Sequence, residues 1–279
     1  MRIKAKKKAS RRVVAALVGL ATVGVGGAAV LVSRGDEGPR AVSAGEAQRM
    51  ALARFRTYRE SPSAVTLRAV TPGGTTVIHA VVDHRTHRAV GTYEVAGAGN
   101  DGQGVLAWDL GGVAVARGRR AGAVAGGAGI GAGALQRVVR GVGEREWVRR
   151  GFSGDPLDIA LRLTTSMAAD RPDNAQLLAQ SGPLWLRDDR IDGRSYGVFT
   201  GPRPRPQGTG RPTVPSASGR SPLTYWIDAD GSLRRLTADL GPGRTVQVDV
   251  TAGHVPGKLP DGPWKRRSGS AGADRDRGR

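Results

Sequence analysis

The chain contains no cysteine. That excludes disulfides, thiolate nucleophiles, Cys-ligated zinc and the acylated cysteine of a bacterial lipoprotein. Only four histidines are present, which leaves little capacity for metal ligation or proton shuttling. Aromatic residues make up 4% of the sequence, so a core must be built from Val, Leu and Ala. Acid is scarce as well, with 24 Asp and Glu against 43 Lys and Arg and a formal net charge of +19. The 279 residues and 39% hydrophobic content suffice for one medium domain or two small ones.

The positive charge is concentrated at the ends. Residues 1–12 hold seven Lys/Arg and no acid, and residues 257–279 hold seven Lys/Arg against three Asp. A nucleic-acid binder needs a basic face interleaved with aromatics or a recognition helix, and most of the excess lies instead at the two termini. No nucleic-acid partner is therefore expected. Arg outnumbers Lys 37 to 6, a bias that a GC-rich genome produces without selection for function.

After the basic flank, Val13 to Val32 form an uncharged run in which Thr22 is the only polar side chain. At 1.5 Å per residue such a run spans roughly 30 Å, the thickness of a bilayer core. It exceeds the ~7–15 residues of a signal-peptide h-region and is apolar on all sides, so an uncleaved anchor is favoured over a signal peptide removed at Val42-Ser43-Ala44, which lies about a dozen residues beyond the run. The positive-inside rule then places residues 1–12 in the cytoplasm and the body outside. The expected plan is a basic segment (1–12), a transmembrane helix (13–32), a linker (33–42), an extracytoplasmic α+β domain (43–256) and a disordered basic tail (257–279). The expected localisation is the cell membrane, single-pass, with the C-terminal domain extracellular.

Within the body, Ser43-Ala-Gly-Glu46 makes a capping box before an apolar stripe at Ala47, Met50, Ala51, Phe55 and Tyr58. From Ser63 the period becomes two. Strands are predicted around Val65–Ala69, Val77–Asp83, Arg88–Val95 and Gly104–Leu110, with turns at Pro72-Gly-Gly74, His84–His87 and Gly99–Gly102. Leu106, Trp108 and Leu110 fall on one face of the last. Residues 118–134 have neither period and read as a flexible loop. Asp155 and Pro156 open a helix with a stripe at Leu157, Ala160, Leu161, Thr164 and Met167, and a second helix follows Asp173. Strands at Leu184–Leu186 and Tyr196–Thr200 flank the Ile191-Asp-Gly193 turn. A second loop, 201–222, holds six Pro and four Arg. The end reads as three strands, around Leu223–Ile227, Leu236–Leu240 and Val246–Val250.

Four constellations invite a chemical reading. Gly193-Arg-Ser195-Tyr-Gly197 matches the G-x-S-x-G elbow of serine hydrolases, which requires a strand before the serine and a helix after it; here a turn precedes and a strand follows. Gly129–Ala134 fits a loose dinucleotide fingerprint without a preceding strand. Asp83, His84 and His87 offer a carboxylate and two imidazoles without an evident fourth ligand, and their place in a turn favours solvated side chains. Asp188 and Asp189 sit beside Arg187 and Arg190 as a solvated cluster. Neither a cofactor nor a metal is expected. Trp108, Trp185 and Trp226 occupy three predicted strands and serve either as core or as groove lining.

The order of elements over residues 43–251, ending in the hairpin Tyr225-Trp-Ile-Asp-Ala-Asp-Gly-Ser-Leu-Arg-Arg235, resembles single-span exported proteins of actinobacteria whose ectodomain is similar to the LolA/LppX-like superfamily. The resemblance implies a half-barrel, a curved antiparallel sheet wrapped around helices, whose members carry or sense lipids or acyl chains. It implies a membrane-anchored, non-catalytic binding module. The candidate apolar groove comprises Trp108, Tyr225, Trp226, Ile227, Leu236 and Val248. Expected partners are the membrane, a lipid or acyl chain, and an anionic envelope polymer through Arg203, Arg205 and Arg211. A structural or protein-interaction ectodomain with a filled core is the alternative, and a serine hydrolase through Ser195 the third.

Overall fold

The computed structural model describes residues 38–118, 132–203, 220–251, 253–260 and 263. These belong to one unit beginning at Glu37. Strand β1 (Arg40–Ala41) precedes helix α1 (Ala44–Arg59). The capping box forms as the sequence predicts: Ser43 Oγ accepts from the Glu46 backbone at 3.3 Å, and Glu46 Oε2 accepts from the Ser43 backbone at 2.7 Å. Glu46 also takes both guanidinium branches of Arg40, at 2.8 and 2.9 Å. These bonds, led by those from Arg40, hold its carboxyl down at about 2.

A meander follows: β2 (Ser63–Thr71), β3 (Gly74–Asp83), β4 (Arg88–Val95), β5 (Gln103–Asp109) and β6 (Gly112–Arg117). Helix α2 (Ala132–Arg140) and strand β7 (Val148–Arg150) lead to α3 (Pro156–Ser166) and α4 (Ala175–Gln180). The chain closes through β8 (Leu184–Ile191), β9 (Arg194–Thr200), β10 (Leu223–Ile227), β11 (Leu233–Asp239) and β12 (Thr245–Val250). All twelve strands join one antiparallel sheet in the order β1-β8-β9-β10-β11-β12-β2-β3-β4-β5-β6-β7. Pairing of β12 with β2, Val248 opposite Leu67, stitches the two meanders together, while β1 and β7 stand at opposite ends of an unclosed sheet.

Alternation assigns the faces. Val65, Leu67 and Ala69 of β2, Ile78, Ala80 and Val82 of β3, and Val246, Val248 and Val250 of β12 enter one cluster with Met50 of α1 and Leu161 of α3. The opposite face is also covered in part. Val81, Val90, Val105 and Ala107 meet Leu135 and Val139 of α2, with Val255 and Leu259 packed beside them.

Strand β6 was absent from the sequence reading because Val113, Ala114 and Ala116 are all buried, so both faces are apolar and the alternation vanishes. Residues 132–134, expected as loop, open α2, whose Leu135, Val138 and Val139, with Val142 just past its end, recur at helical spacing against the sheet. Leu110 does not join Leu106 and Trp108 on the buried face; it lies past the end of β5 and is 67% exposed. The N-cap of α4 is Asn174, whose Oδ1 accepts from Gln176 and Leu177 backbones, rather than Asp173. The fold continues beyond residue 256, where Leu259 packs on the second cluster. Residues 1–37, including the expected span, lie outside the described residues, as do 119–131 and 204–219; no described helix is long and apolar enough to cross a membrane.

Candidate functional site

Helix α3 positions two cavities. Asp155 caps it by accepting from the Asp158 backbone at 2.9 Å, and Pro156 fills the first turn, where no amide partner is needed. At 100° per residue, Leu163 and Met167 project to one side of the helix and Leu157 and Leu161 to the other. Each pair lines a different space.

The first cavity, of about 630 Å³, lies among α1, α3, α4 and strands β10–β11. Met50 and Ala53 of α1, Leu163 and Met167 of α3, Leu177 and Leu178 of α4, and Tyr225, Ile227 and Leu236 of the sheet line it. Leu177 is 61% exposed. Polar groups gather around this apolar lining. Arg54 donates to Asp173 at 3.3 Å and to the Ser166 and Ala168 carbonyls at 3.5 and 3.4 Å, tying α1 to the chain between α3 and α4. Arg203, one of the three arginines expected to meet an anionic envelope polymer, lines the cavity, its backbone amide bonded to the Ser181 carbonyl. Arg205 and Arg211 lie outside the described residues. Burial pushes the Tyr225 phenol up to about 12, so it remains a neutral hydroxyl.

The second cavity, of about 640 Å³, lies on the other side of α3 over β3–β6. Ile78, Leu106, Val113, Val115, Leu157 and Leu161 give it an apolar lining, with Thr76, Tyr93, Arg117, Glu146 and Arg150 as its polar members. Both volumes fall within the ~300–1,000 Å³ typical of small-molecule sites.

Of the six groove residues predicted from sequence, Tyr225, Ile227 and Leu236 meet at the first cavity. Val248 is fully buried in the packed core. Trp108 is 1% exposed and spends its indole N–H on Thr164 Oγ1 at 3.0 Å, which anchors α3 to β5. Trp226 is on the wrong face, because adjacent strand residues point oppositely and Tyr225 faces the helices. It packs with Tyr196 and Val198, donates to Asp189 Oδ2 at 2.9 Å, and lies 6.0 and 5.9 Å from the Arg187 and Arg235 guanidiniums. That indole bond leads the contacts that hold the Asp189 carboxyl below the usual range. Met50, Leu178 and the whole second cavity were missed. The stripe of α1 signalled Met50, whereas nothing local signals which strands a helix will cover.

Ser195 lies within β9 opposite Arg190, in a strand–turn–strand context without the helix an elbow requires. The histidines hydrogen-bond elsewhere: His79 with Thr66, His84 with Ser63, His87 with the Thr165 carbonyl and His254 with the Ser61 carbonyl. His84 is fully buried, contrary to its expected place in a solvated turn. Among the described residues no group of three His, Asp or Glu is arranged to hold a metal ion. The glycine run at 129–131 lies outside them.

No protein-family model and no curated protein matches the sequence. Among solved structures, the chain is similar to LprF from Mycobacterium bovis, at 16% identity and a TM-score of 0.39, covering 77% of this chain and 96% of that one. It is similar to the lipoprotein LppX of Mycobacterium tuberculosis at 16% identity and 0.38, covering 76% and 98%. A LolA superfamily protein from Nitrosomonas europaea matches at 13% identity and 0.26, covering 79% and 96%.

Proposed function

We propose that this chain is a non-catalytic binding module for a lipid or single acyl chain, tethered outside the membrane by residues 13–32. The observation that carries the reading is the first cavity, an apolar space of about 630 Å³ between α1, α3, α4 and β10–β11 with the exposed Leu177 among its lining residues. Small-molecule sites are concave, mostly apolar clefts of about this size with a few polar groups at the edge. Burial of each methylene contributes about 0.8 kcal/mol. Ten of them offset much of the ~4–15 kcal/mol cost of association.

The test uses the full chain in phospholipid vesicles with a photoactivatable palmitate. Saturable labelling is expected on peptides of α1 and α4 that contain Met50 and Leu178, competed by unlabelled palmitate. Leu178→Trp, which fills the cavity from a half-buried position, should reduce labelling there about tenfold. Absence of saturable labelling would favour an interaction ectodomain with a filled core. The tether has its own test: protease added to intact protoplasts should digest the body, and protection of the body would reject the topology.

A further inference from the structure

The second cavity carries two uncommitted donors on strands β4 and β6 of its sheet wall. Its sheet wall includes a row across three strands, in which Tyr93 of β4 pairs with Gly104 of β5 and Gly104 with Arg117 of β6. All three positions face α3, as does Ile78 beside them. Gly104 is glycine for a reason visible in space. A Cβ there would lie 2.6 Å from Tyr93 Cε1 and 2.7 Å from the Tyr93 oxygen, so the phenol ring lies across β5 with its hydroxyl directed toward β6. Arg117 stands next in the row, near enough to lower the Tyr93 proton affinity partly against the burial that raises it. The phenol therefore stays protonated and able to donate.

Among the described residues, neither the Tyr93 hydroxyl nor the Arg117 guanidinium has a hydrogen-bond or ion-pair partner. The other charged groups of this cavity are engaged. Arg150 is bound to the Asp158 carboxylate, and Glu146 accepts from the Gly143 backbone at 2.8 Å. A guanidinium and a phenol O–H side by side match a carboxylate or phosphate oxygen pair. Beyond them Ile78, Leu106, Val113, Leu157 and Leu161 form an apolar continuation, and Val148, 68% exposed, adds apolar surface among the lining residues.

We infer that the second cavity binds an anionic amphiphile, its carboxylate or phosphate headgroup held by Arg117 and the Tyr93 hydroxyl and its chain lying against α3. This rests on the apolar-ligand reading above and adds the headgroup charge to it. Arg117 is exposed at the end of β6, so its replacement leaves the packed core untouched.

The experiment compares two photoactivatable probes of equal chain length, palmitate and hexadecanol, on the full chain in vesicles. Palmitate should label peptides containing Leu157 or Val113 in preference to hexadecanol. Arg117→Gln should lower that labelling about tenfold while leaving the Met50 and Leu178 peptides unchanged, and Arg117→Lys should retain most of it. Excess inorganic phosphate should not compete, since the chain supplies part of the affinity. Equal labelling by the two probes, or indifference to Arg117→Gln, overturns the headgroup assignment alone. Labelling confined to the first cavity, or full competition by phosphate, overturns it too. Labelling at neither cavity removes the apolar-ligand reading along with it.

Discussion

Replacing Asp158 with alanine should cost about 3 kcal/mol, a fall in Tm of about 6–12 °C for a domain of this size. The carboxylate is fully buried at the first turn of α3. Burial would raise its pKa, but the bonds it accepts from Arg150 and from Ser153 hold it below the ordinary carboxylate range. Arg150 reaches it through both guanidinium nitrogens, at 2.5 and 2.8 Å, and Ser153 through its backbone N–H at 2.6 Å and hydroxyl at 2.7 Å. Loss of one partner from a buried ion pair costs ~3–5 kcal/mol when the other charge is stranded. Here the Arg150 side chain is 43% exposed and can be rehydrated, which favours the lower figure. The consequence extends beyond stability. Arg150 terminates β7, the last strand of the sheet, and lines the second cavity, so Asp158 couples the end of the sheet to the start of the helix. Asp158→Asn, which keeps one acceptor oxygen, should lose less. Urea titration with an unchanged m-value checks both; a midpoint unaffected by Asp158→Ala would show that the pair contributes nothing net.

That junction separates what could be read from sequence from what could not. Asp155-Pro156 and Ser43-Ala-Gly-Glu46 are local signals, complete within four residues, and each starts a helix where expected. Hairpins with a polar outer face were legible for the same reason, as in β11–β12, where Leu236 and Val248 alternate with Arg235 and Asp249. Strand β6 was not, since both its faces are covered and Val-Ala-Val-Ala carries no contrast. The cavities were legible only in part. Tyr225, Ile227 and Leu236 come from one hairpin, whereas Leu178 lies more than 45 residues before them and Met50 more than 170. Trp226 was readable and misassigned: strand alternation alone forbids it the face of Tyr225. His84 misled because Asp83-His84-Arg85-Thr86 has the composition of an exposed turn, while its burial arises from Ser61 and Ser63, more than 20 residues earlier.

That buried histidine sets the second large effect, a loss on the order of 3 kcal/mol as pH falls from 6.5 to 4. Burial, reinforced by the charge of His87 and opposed by Asp83, brings the His84 imidazole down to about 4 from its ordinary 6.5. Ser63 Oγ stands 3.2 Å from Nε2, the Ser61 hydroxyl is taken by the His84 backbone N–H, and Nδ1 has no partner among the described residues. Protonation would place a charged N–H where nothing accepts it. The unfolded chain, with no such restriction, binds the proton first. Unfolding is therefore favoured progressively below pH 6.5, and the loss levels off below pH 4, where both states are protonated. At pH 5 about 2 kcal/mol should already be gone. Glu46 titrates in the next window: its folded value near 2 against 4.5 unfolded contributes stability above pH 4.5 that is lost as pH falls toward 2. Stability should thus fall over two overlapping pH ranges, the higher belonging to His84. His84→Leu removes that titration at the expense of the Ser63 contact, so its urea midpoint should change little between pH 7 and pH 5 while the parent chain's drops. Equal slopes in the two proteins over that interval would show that His84 takes up its proton in the folded state without penalty.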